Sequence, residues 1–438
     1  MKKKMAKWLV MVLALVMVLS GTGAYAQEPV GLMLDTEEAA TSLVLQDGRA
    51  MISVDDLEEL MGVGAQWQED ELVLTFAEKT MVLTVGESKA LLDGESIMLD
   101  QPLTMEADRL WAPLASVARA FGHEVVWNAS AKSVEIITRT NRLFSEYVKA
   151  IAATGSLMLN GEMGDLHEAI VASGEWDTPE NEAFRAILKE IKEANGVTYV
   201  YTLIKSGTDE DPALLISDSD SPDEYGDAYD MESQFLKAFA GEPAYAVHFW
   251  DDEGIVMKSA FAPIYNSDGQ VVAILGIDTV YNPMNHDANA LIGTKVKAIA
   301  ATGALMLKGE MGDLHEVIVA SDEWDTPENE AFRTILKEIK KANGVTYVYT
   351  LIKSGTDEDP TLLISDSDSP EEMGDEYDME PQFLLAFSGT PAAAQHIWID
   401  DEVMKSAFAP IYNTAGEIVA LLGIDTEAPE LAHVPELE

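Results

Sequence analysis

The sequence predicts an α+β protein: a small N-terminal α+β module of two pseudo-repeats, then two larger domains of one common design. Three observations carry this. Ile151–Trp250 matches Ile299–Trp398 at a constant offset of 148 residues, a whole-domain duplication. Arg49…Gly62…Trp67 matches Arg109…Gly122…Trp127 at an offset of 60. Within each large copy, helical periodicity in the first half gives way to period-2 alternation in the second.

Residues 1–26 come first. Lys2, Lys3, Lys4 and Lys7 form a positive region, Trp8–Leu19 is an unbroken apolar run, and Ala24-Tyr25-Ala26 is a small-x-small cleavage site. This pattern predicts a secretory signal peptide and a mature chain from Gln27. The alternative, an uncleaved anchor, needs a run of about 20 apolar residues. The expected location is secreted or cell-surface associated, with no integral membrane segment once the signal is removed. The chain has no cysteine, so neither disulfides nor a lipidated N-terminal Cys is expected.

The net charge is −49, and −53 without the four signal-segment lysines. Such a surface repels nucleic acid and anionic membranes. The acids are diffuse, which suits a solvated surface; cation sites are the alternative.

The module spans 27–138. In each half an extended segment leads into a short amphipathic helix, Asp55–Met61 and Leu114–Phe121. Gly62 and Gly122 stand at the helix C-terminal cap. Leu72–Phe76 and Ser133–Ile137 read as strands.

The first large domain spans 139–283, the second 284–428, and 429–438 is an acidic tail. Leu143–Leu157 is the leading helix, repeated at Leu291–Leu305. Asp165 is placed to cap a short helix. Thr178-Pro179 starts a second helix, with Phe184, Ile187, Leu188 and Ile191 as its buried stripe and Asn195-Gly196 as its end. The strands are Val197–Ile204, Leu214–Asp218, Ala244–Trp250, Met257–Tyr265 and Val271–Asp278. A helix at Glu232–Phe239 interrupts them, and Asn266–Gly269 closes a hairpin.

That order resembles the extracytoplasmic Cache (PAS-like) sensor domains. The strings that carry the resemblance are Asn195–Thr202, Gly241-Glu242-Pro243, Ser259–Tyr265 and Asp268–Asp278, with Asn343–Thr350, Ser406–Tyr412 and Gly416–Asp425 in the second copy. The resemblance implies a small-ligand pocket against one sheet face. It also implies a membrane helix and transmitter, which this sequence does not show. Val30–Ile137 resembles the copper amine oxidase N-terminal-like domain, through Leu91–Asp100, Arg109–Leu114, Phe121-Gly122 and Val126-Trp127. Ala112–Ala115 departs from that family's usual motif, and the scattered histidines give no copper site.

The candidate ligand-binding residues are Tyr201, Trp250, Lys258, Tyr265 and Asp278, and in the second copy Tyr349, Trp398, Lys405, Tyr412 and Asp425. A Lys and an Asp within apolar strands are costly unless partnered. Together they would hold a zwitterion or carboxylate; alternatively they pair with each other or face solvent. The aromatics line the same pocket or belong to the core. Asp218, Asp220 and Asp223 are weak candidates for a metal, at alternate positions but without EF-hand spacing. His167 and His315 read as surface or capping residues. No catalytic constellation and no cofactor motif is present. The expected function is non-catalytic, sensor-like binding of a small extracellular ligand, an amino acid or carboxylate, with the module contacting a cell-envelope component. The alternative is a structural or adhesive surface protein whose PAS-like domains are scaffolds without ligand.

Overall fold

A computed structural model of the protein describes residues 30–431, apart from 36, 42, 69, 78, 107–108, 130, 247–248, 251–254, 282–287, 322 and 400–401. The side chains of 249–250, 395–399 and 430 are likewise outside the description. The signal segment and most of the tail therefore lie outside the described residues.

The N-terminal module holds three sheets and two helices, α1 (Val54–Met61) and α2 (Leu114–Ala120). Ser53 Oγ accepts the Asp56 N–H at the start of α1, and Gly62 (φ 66°) ends it. In α2 Pro113 takes the capping place and gives no side-chain bond. Both helices follow a strand of one four-stranded sheet, Arg49–Ser53 and Arg109–Pro113, which pair antiparallel. This is the pseudo-symmetry of the 60-residue offset. A five-stranded meander from Gly64 to Met98 lies beside it, and Leu57, Leu74, Met81, Val117 and Phe121 form a common buried core. The third sheet pairs the first strand, Gly31–Leu34, in parallel with the last, Ser133–Ile137, so the module closes on itself.

Each large domain is a sheet with helices on both faces. In the first, α3 (Arg139–Leu157), α4 (Glu162–Ser173) and α5 (Pro179–Asn195) cover one face, and α6 (Ser233–Phe239) covers part of the other. The strand order is Ala228–Tyr229, Ala213–Asp218, Tyr199–Lys205, Val271–Val280, Val256–Tyr265, Ala244–Tyr245, all antiparallel. The first-made strand sits in the middle beside the last-made, the arrangement of a PAS-like sheet. The second domain repeats it with α7 (Ala288–Met306), α8 (Glu310–Ser321), α9 (Pro327–Asn343) and α10 (Pro381–Phe387).

Four details differ from expectation. The leading helix begins at Arg139, because Thr138 Oγ1 caps it by accepting the Asn141 N–H. The helix expected after Asp165 starts three residues earlier, at Glu162. There Gly161 turns the chain with φ 67°, and Asp165 accepts hydrogen bonds from the backbone and hydroxyl of Ser267 instead of capping. The strand expected over Ala244–Trp250 is broken into 244–245 and 249–250, whereas its copy, Ala392–Ile399, is continuous through a register shift. Finally, the short strands Ala228–Tyr229 and Glu376–Tyr377 extend the two sheets beyond five strands by pairing with the otherwise open edges at Ala213-Leu214 and Thr361-Leu362.

The two domains meet through their leading helices: α3 packs on α7, α3 on α9, and α5 on α7. The contacts are reciprocal, as in a twofold dimer built within one chain.

Candidate functional site

Alternation along the central strands assigns every candidate side chain to one of two faces. On the strand Tyr199–Lys205, Val200 joins the core under α3 and α5, while Tyr201 and Leu203 join the cluster under α6. On Val256–Tyr265, Ala260 and Ala262 lie under the helices and Phe261 faces α6. On Val271–Val280, Leu275 and Ile277 lie under the helices and Ile274 faces α6.

Asp278 falls on the α6 face. It is buried, and its Oδ1 accepts hydrogen bonds from Ser259 Oγ (2.6 Å) and Tyr201 OH (3.2 Å). Ser259 stands directly opposite it in the ladder. Tyr201 crosses over Gly276, where a Cβ would come within 2.5 Å of the ring; glycine is what lets the ring lie flat on the strand. Removal from water pushes the Asp278 carboxyl up to about 7, the hydroxyl bonds oppose this, and nearby Asp218 and Glu232 add to it. The Tyr201 hydroxyl is raised well above its usual value by burial and by Asp278.

The second domain has the same group. Tyr349 OH donates to Asp425 at 3.2 Å, Ser406 bonds the same carboxyl, Tyr349 covers Gly423, and burial lifts Asp425 to about 6. The structure thus brings together Tyr201 with Asp278, and Tyr349 with Asp425.

Lys258 is not part of this group. It is adjacent to Ser259 in a strand and therefore projects to the opposite face, beneath α3. There it donates to Asn141 Oδ1 and to Ser145 Oγ (3.1 Å), and lies 5.0 Å from the Tyr281 ring centre. Burial lowers its pKa to about 7, with Asp35 opposing. The expectation of a Lys258–Asp278 clamp on one ligand is corrected accordingly, and so is that of Lys405 with Asp425. Lys405 lies on the helix side and donates to Asn289 Oδ1 at 2.7 Å.

Tyr265 is displaced along the strand. Its ladder partner is Val271, six residues from Ser259, or about 20 Å of strand. Its hydroxyl donates to Gly241 O (3.3 Å) and ties the end of α6 to the hairpin; Tyr412 OH lies against Gly389 in the same way. The backbones of Trp250 and Trp398 lie in edge strands, but their side chains are outside the described residues.

The acidic loop is held by its own hydrogen bonds. Asp218 Oδ1 accepts the N–H groups of Asp220 (2.6 Å) and Ser221 (2.7 Å), Asp220 pairs with Lys192 (2.6 Å), and Asp223 is exposed in a 3-10 turn. Among the described residues no three His, Cys, Asp or Glu side chains are grouped to hold a metal ion.

His167 and His315 are corrected from surface to core. Each is fully buried, with Nε2 at 2.8 Å from the hydroxyl of Thr202 or Thr350 and a phenylalanine ring beside it. Burial lowers both to about 4. The sequence signal for them was the Gly164-Asp-Leu-His167 spacing, which puts Gly164 and His167 on the same side of α4, facing the sheet.

The family model of the copper amine oxidase N-terminal domain matches residues 34–136. Among solved structures, the chain is similar to the ligand-binding domain of the Campylobacter jejuni chemoreceptor Tlp3 in complex with 4-methylisoleucine. The identity is 11% and the TM-score 0.18, over 68% of this chain and 94% of that one. It is also similar to the ligand-binding domain of the Pseudomonas aeruginosa amino acid chemoreceptor PctC in complex with GABA, at 13% identity and TM-score 0.19, over 64% and 94%. None of the curated proteins matches the chain. Among the described residues no helix is long and apolar enough to cross a membrane.

Proposed function

We propose that the protein is an exported, non-catalytic binding protein whose two PAS-like domains each receive a small molecule bearing a protonated amine. The observation that carries this is the buried carboxyl of Asp278, held only by hydroxyls among the described residues, and repeated at Asp425. A buried carboxylate without a cationic neighbour is costly, and an ammonium guest would offset that cost. Lys258 and Lys405 lie on the other face, so the α6 face favours an amine over a carboxylate. Tyr201 and Ser259 are the positioning hydroxyls.

The test is a thermal-shift screen of the chain from Gln27 with amino acids and small amines. A ligand of the folded state raises the melting temperature. The Asp278→Asn/Asp425→Asn double variant is expected to lose the shift. No shift across the panel, or a shift that survives in the double variant, overturns the reading.

A second reading, scaffolding without ligand, is favoured by one observation. Phe235 of α6 packs on Phe261 at 4.6 Å between ring centres, and Phe383 on Phe408 likewise, so apolar side chains fill the α6 end of each face. The same screen separates the two readings.

Export is supported by the Trp8–Leu19 run and Ala24-Tyr25-Ala26. N-terminal sequencing of protein from the medium or envelope is expected to begin at Gln27. For the module we propose contact with an envelope component. The equivalent tryptophans Trp67 and Trp127 stand exposed, and Trp127 edges a cleft also lined by Arg49 and Arg119.

A further inference from the structure

The two halves of the N-terminal module repeat at an offset of 60 residues, yet around one cleft they differ in charge. The cleft, of about 350 Å³, is bordered by Arg49 from the first half and by Arg119 and Trp127 from the second. That volume lies within the range of small-molecule pockets, on the order of 300–1,000 Å³. Both arginines and the tryptophan are exposed, and the buried side chains of Leu114 and Val134 also border the space.

The counterparts in the pseudo-repeat show what is particular to this cleft. Arg109 is the counterpart of Arg49. It pairs with Asp56 (3.4 Å) and Asp55 (3.9 Å) in the first turn of α1. At the same positions of α2 stand Ser116 and Ala115. Arg49 therefore lacks those carboxylates, and it forms no ion pair among the described residues. Glu59 of α1 has Arg119 as its counterpart on α2. Two of these differences remove an acid and the third reverses a charge, all in the basic direction.

Asp100 is the acid that borders the cleft. One of its carboxylate oxygens accepts from Ser116 Oγ, which in turn accepts the Asp100 N–H at 2.9 Å. Its second oxygen remains an acceptor for hydroxyl groups. Arg119 donates to Val125 O (3.4 Å) through one nitrogen, which leaves its other N–H groups as donors.

We infer that this cleft binds a uronic-acid residue of an acidic polysaccharide. The inference rests on the module's proposed contact with the envelope and names the chemistry contacted. The sugar carboxylate accepts from Arg49 and Arg119, whose planar guanidinium groups match its geometry. The apolar C–H face of the ring packs on the indole of Trp127, and Asp100 accepts from the ring hydroxyls. A neutral sugar leaves the guanidinium groups unused, and a bare phosphate chain leaves the indole unused. The protein's other negative charges are screened beyond about 8 Å at physiological salt, so the cleft's own charges set its preference.

The test is isothermal titration of the chain from Gln27 with trigalacturonate, its uncharged counterpart galactotriose, and tripolyphosphate, at about 0.15 M salt. Trigalacturonate is expected to bind, and the other two to bind at least about tenfold more weakly. Ala115→Asp restores the acid that Asp55 supplies in α1. It is expected to weaken trigalacturonate by about tenfold without lowering the melting temperature, because an acid in the first turn suits a helix. Arg49→Gln with Arg119→Gln is expected to do the same. Trp127→Ala is expected to narrow the gap between trigalacturonate and tripolyphosphate. Arg109→Gln and Trp67→Ala, at the counterpart positions, are expected to leave binding unaltered. The inference is overturned by no heat with trigalacturonate, by either other probe binding as tightly, by binding that survives Ala115→Asp or the double arginine variant, or by its loss in Arg109→Gln. Cosedimentation with isolated envelopes separates it from the broader reading. A chain that sediments equally well without both arginines keeps the envelope contact and loses the sugar site. A chain that binds trigalacturonate but stays in solution keeps the sugar site and loses the envelope contact.

Discussion

Asn195 donates its side-chain amide to Thr302 Oγ1 at 2.8 Å, and Asn343 donates to Thr154 Oγ1 at 2.8 Å. Each asparagine is the last residue of one domain's second long helix, and each threonine sits in the other domain's leading helix. Both asparagines also bond back to their own helix, at Ile191 O and Ile339 O. The seam therefore carries two equal amide–hydroxyl contacts, beside the Lys308–Glu190 ion pair (2.5 Å), within a largely apolar helix pair. Asn195→Ala with Asn343→Ala is expected to lower unfolding free energy by about 2 kcal/mol, about 1 per lost pair. Urea denaturation measures it, and a second resolved transition would mark the domains uncoupling.

The carboxyls on the α6 faces set a pH dependence. The Asp278 carboxyl is raised by burial to about 7 in the folded chain, against an ordinary value of 3.8. Between about pH 4 and 7 the folded chain holds a proton that the unfolded chain has released, so stability falls as pH rises through this window and levels off above it. Asp278→Asn is expected to remove its own share of this slope, leaving the share that Asp425 sets up to about pH 6, and to stabilise the chain at pH 8 by about 1–3 kcal/mol. Amine binding has the opposite preference. It is expected to strengthen as pH rises through about 7, where the carboxylate forms.

The histidines act in the other direction. His167 and His315 fall from 6.5 to about 4 on folding. Their contribution is complete above pH 6.5 and is lost as pH falls toward 4, because the unfolded chain takes up the protons first. In the double variant His167→Gln/His315→Gln this acid sensitivity is expected to diminish, at a cost of about 1–3 kcal/mol per site at pH 7 from the lost buried hydrogen bond and packing. Melting temperatures between pH 4 and 8 report both effects.

Gly164 and Gly312 set how closely α4 and α8 approach the hairpin. A Cβ at Gly164 would lie 2.3 Å from Tyr265 O, and at Gly312 2.4 Å from Tyr412 O. Either glycine to alanine is expected to cost about 2–4 kcal/mol, since backbone on both sides must move. Gly174→Ala is a different case, open in space but at φ 68°, and a smaller loss of about 1 kcal/mol is expected. Calorimetry on the three variants gives the ranking.

Most of the fold was legible because its signals are local. Thr178 with Pro179, Asn195 with Gly196, and Asn266–Gly269 mark ends and turns through their own backbone chemistry, and each stands where expected. Duplication added the domain plan. The candidate site was legible only in part. Alternation already placed Lys258 opposite Ser259, but a one-dimensional pattern does not say which face carries the helices. That depends on how α3 and α6 pack across a sheet whose strands are far apart in sequence. His167 was misjudged for the same reason: its partner Thr202 is 35 residues away. The hydroxyl role of Ser259 was hidden by its ordinariness.

The seam between α3 and α7 has an evolutionary implication. When two identical subunits pair, any change in one appears in both, and a useful opening in one partner is a defect in the other. Here a single gene encodes both partners. Mutation can place Ala393 in one half while Tyr245 stays in the other, so a symmetric architecture has room to specialise one half at a time.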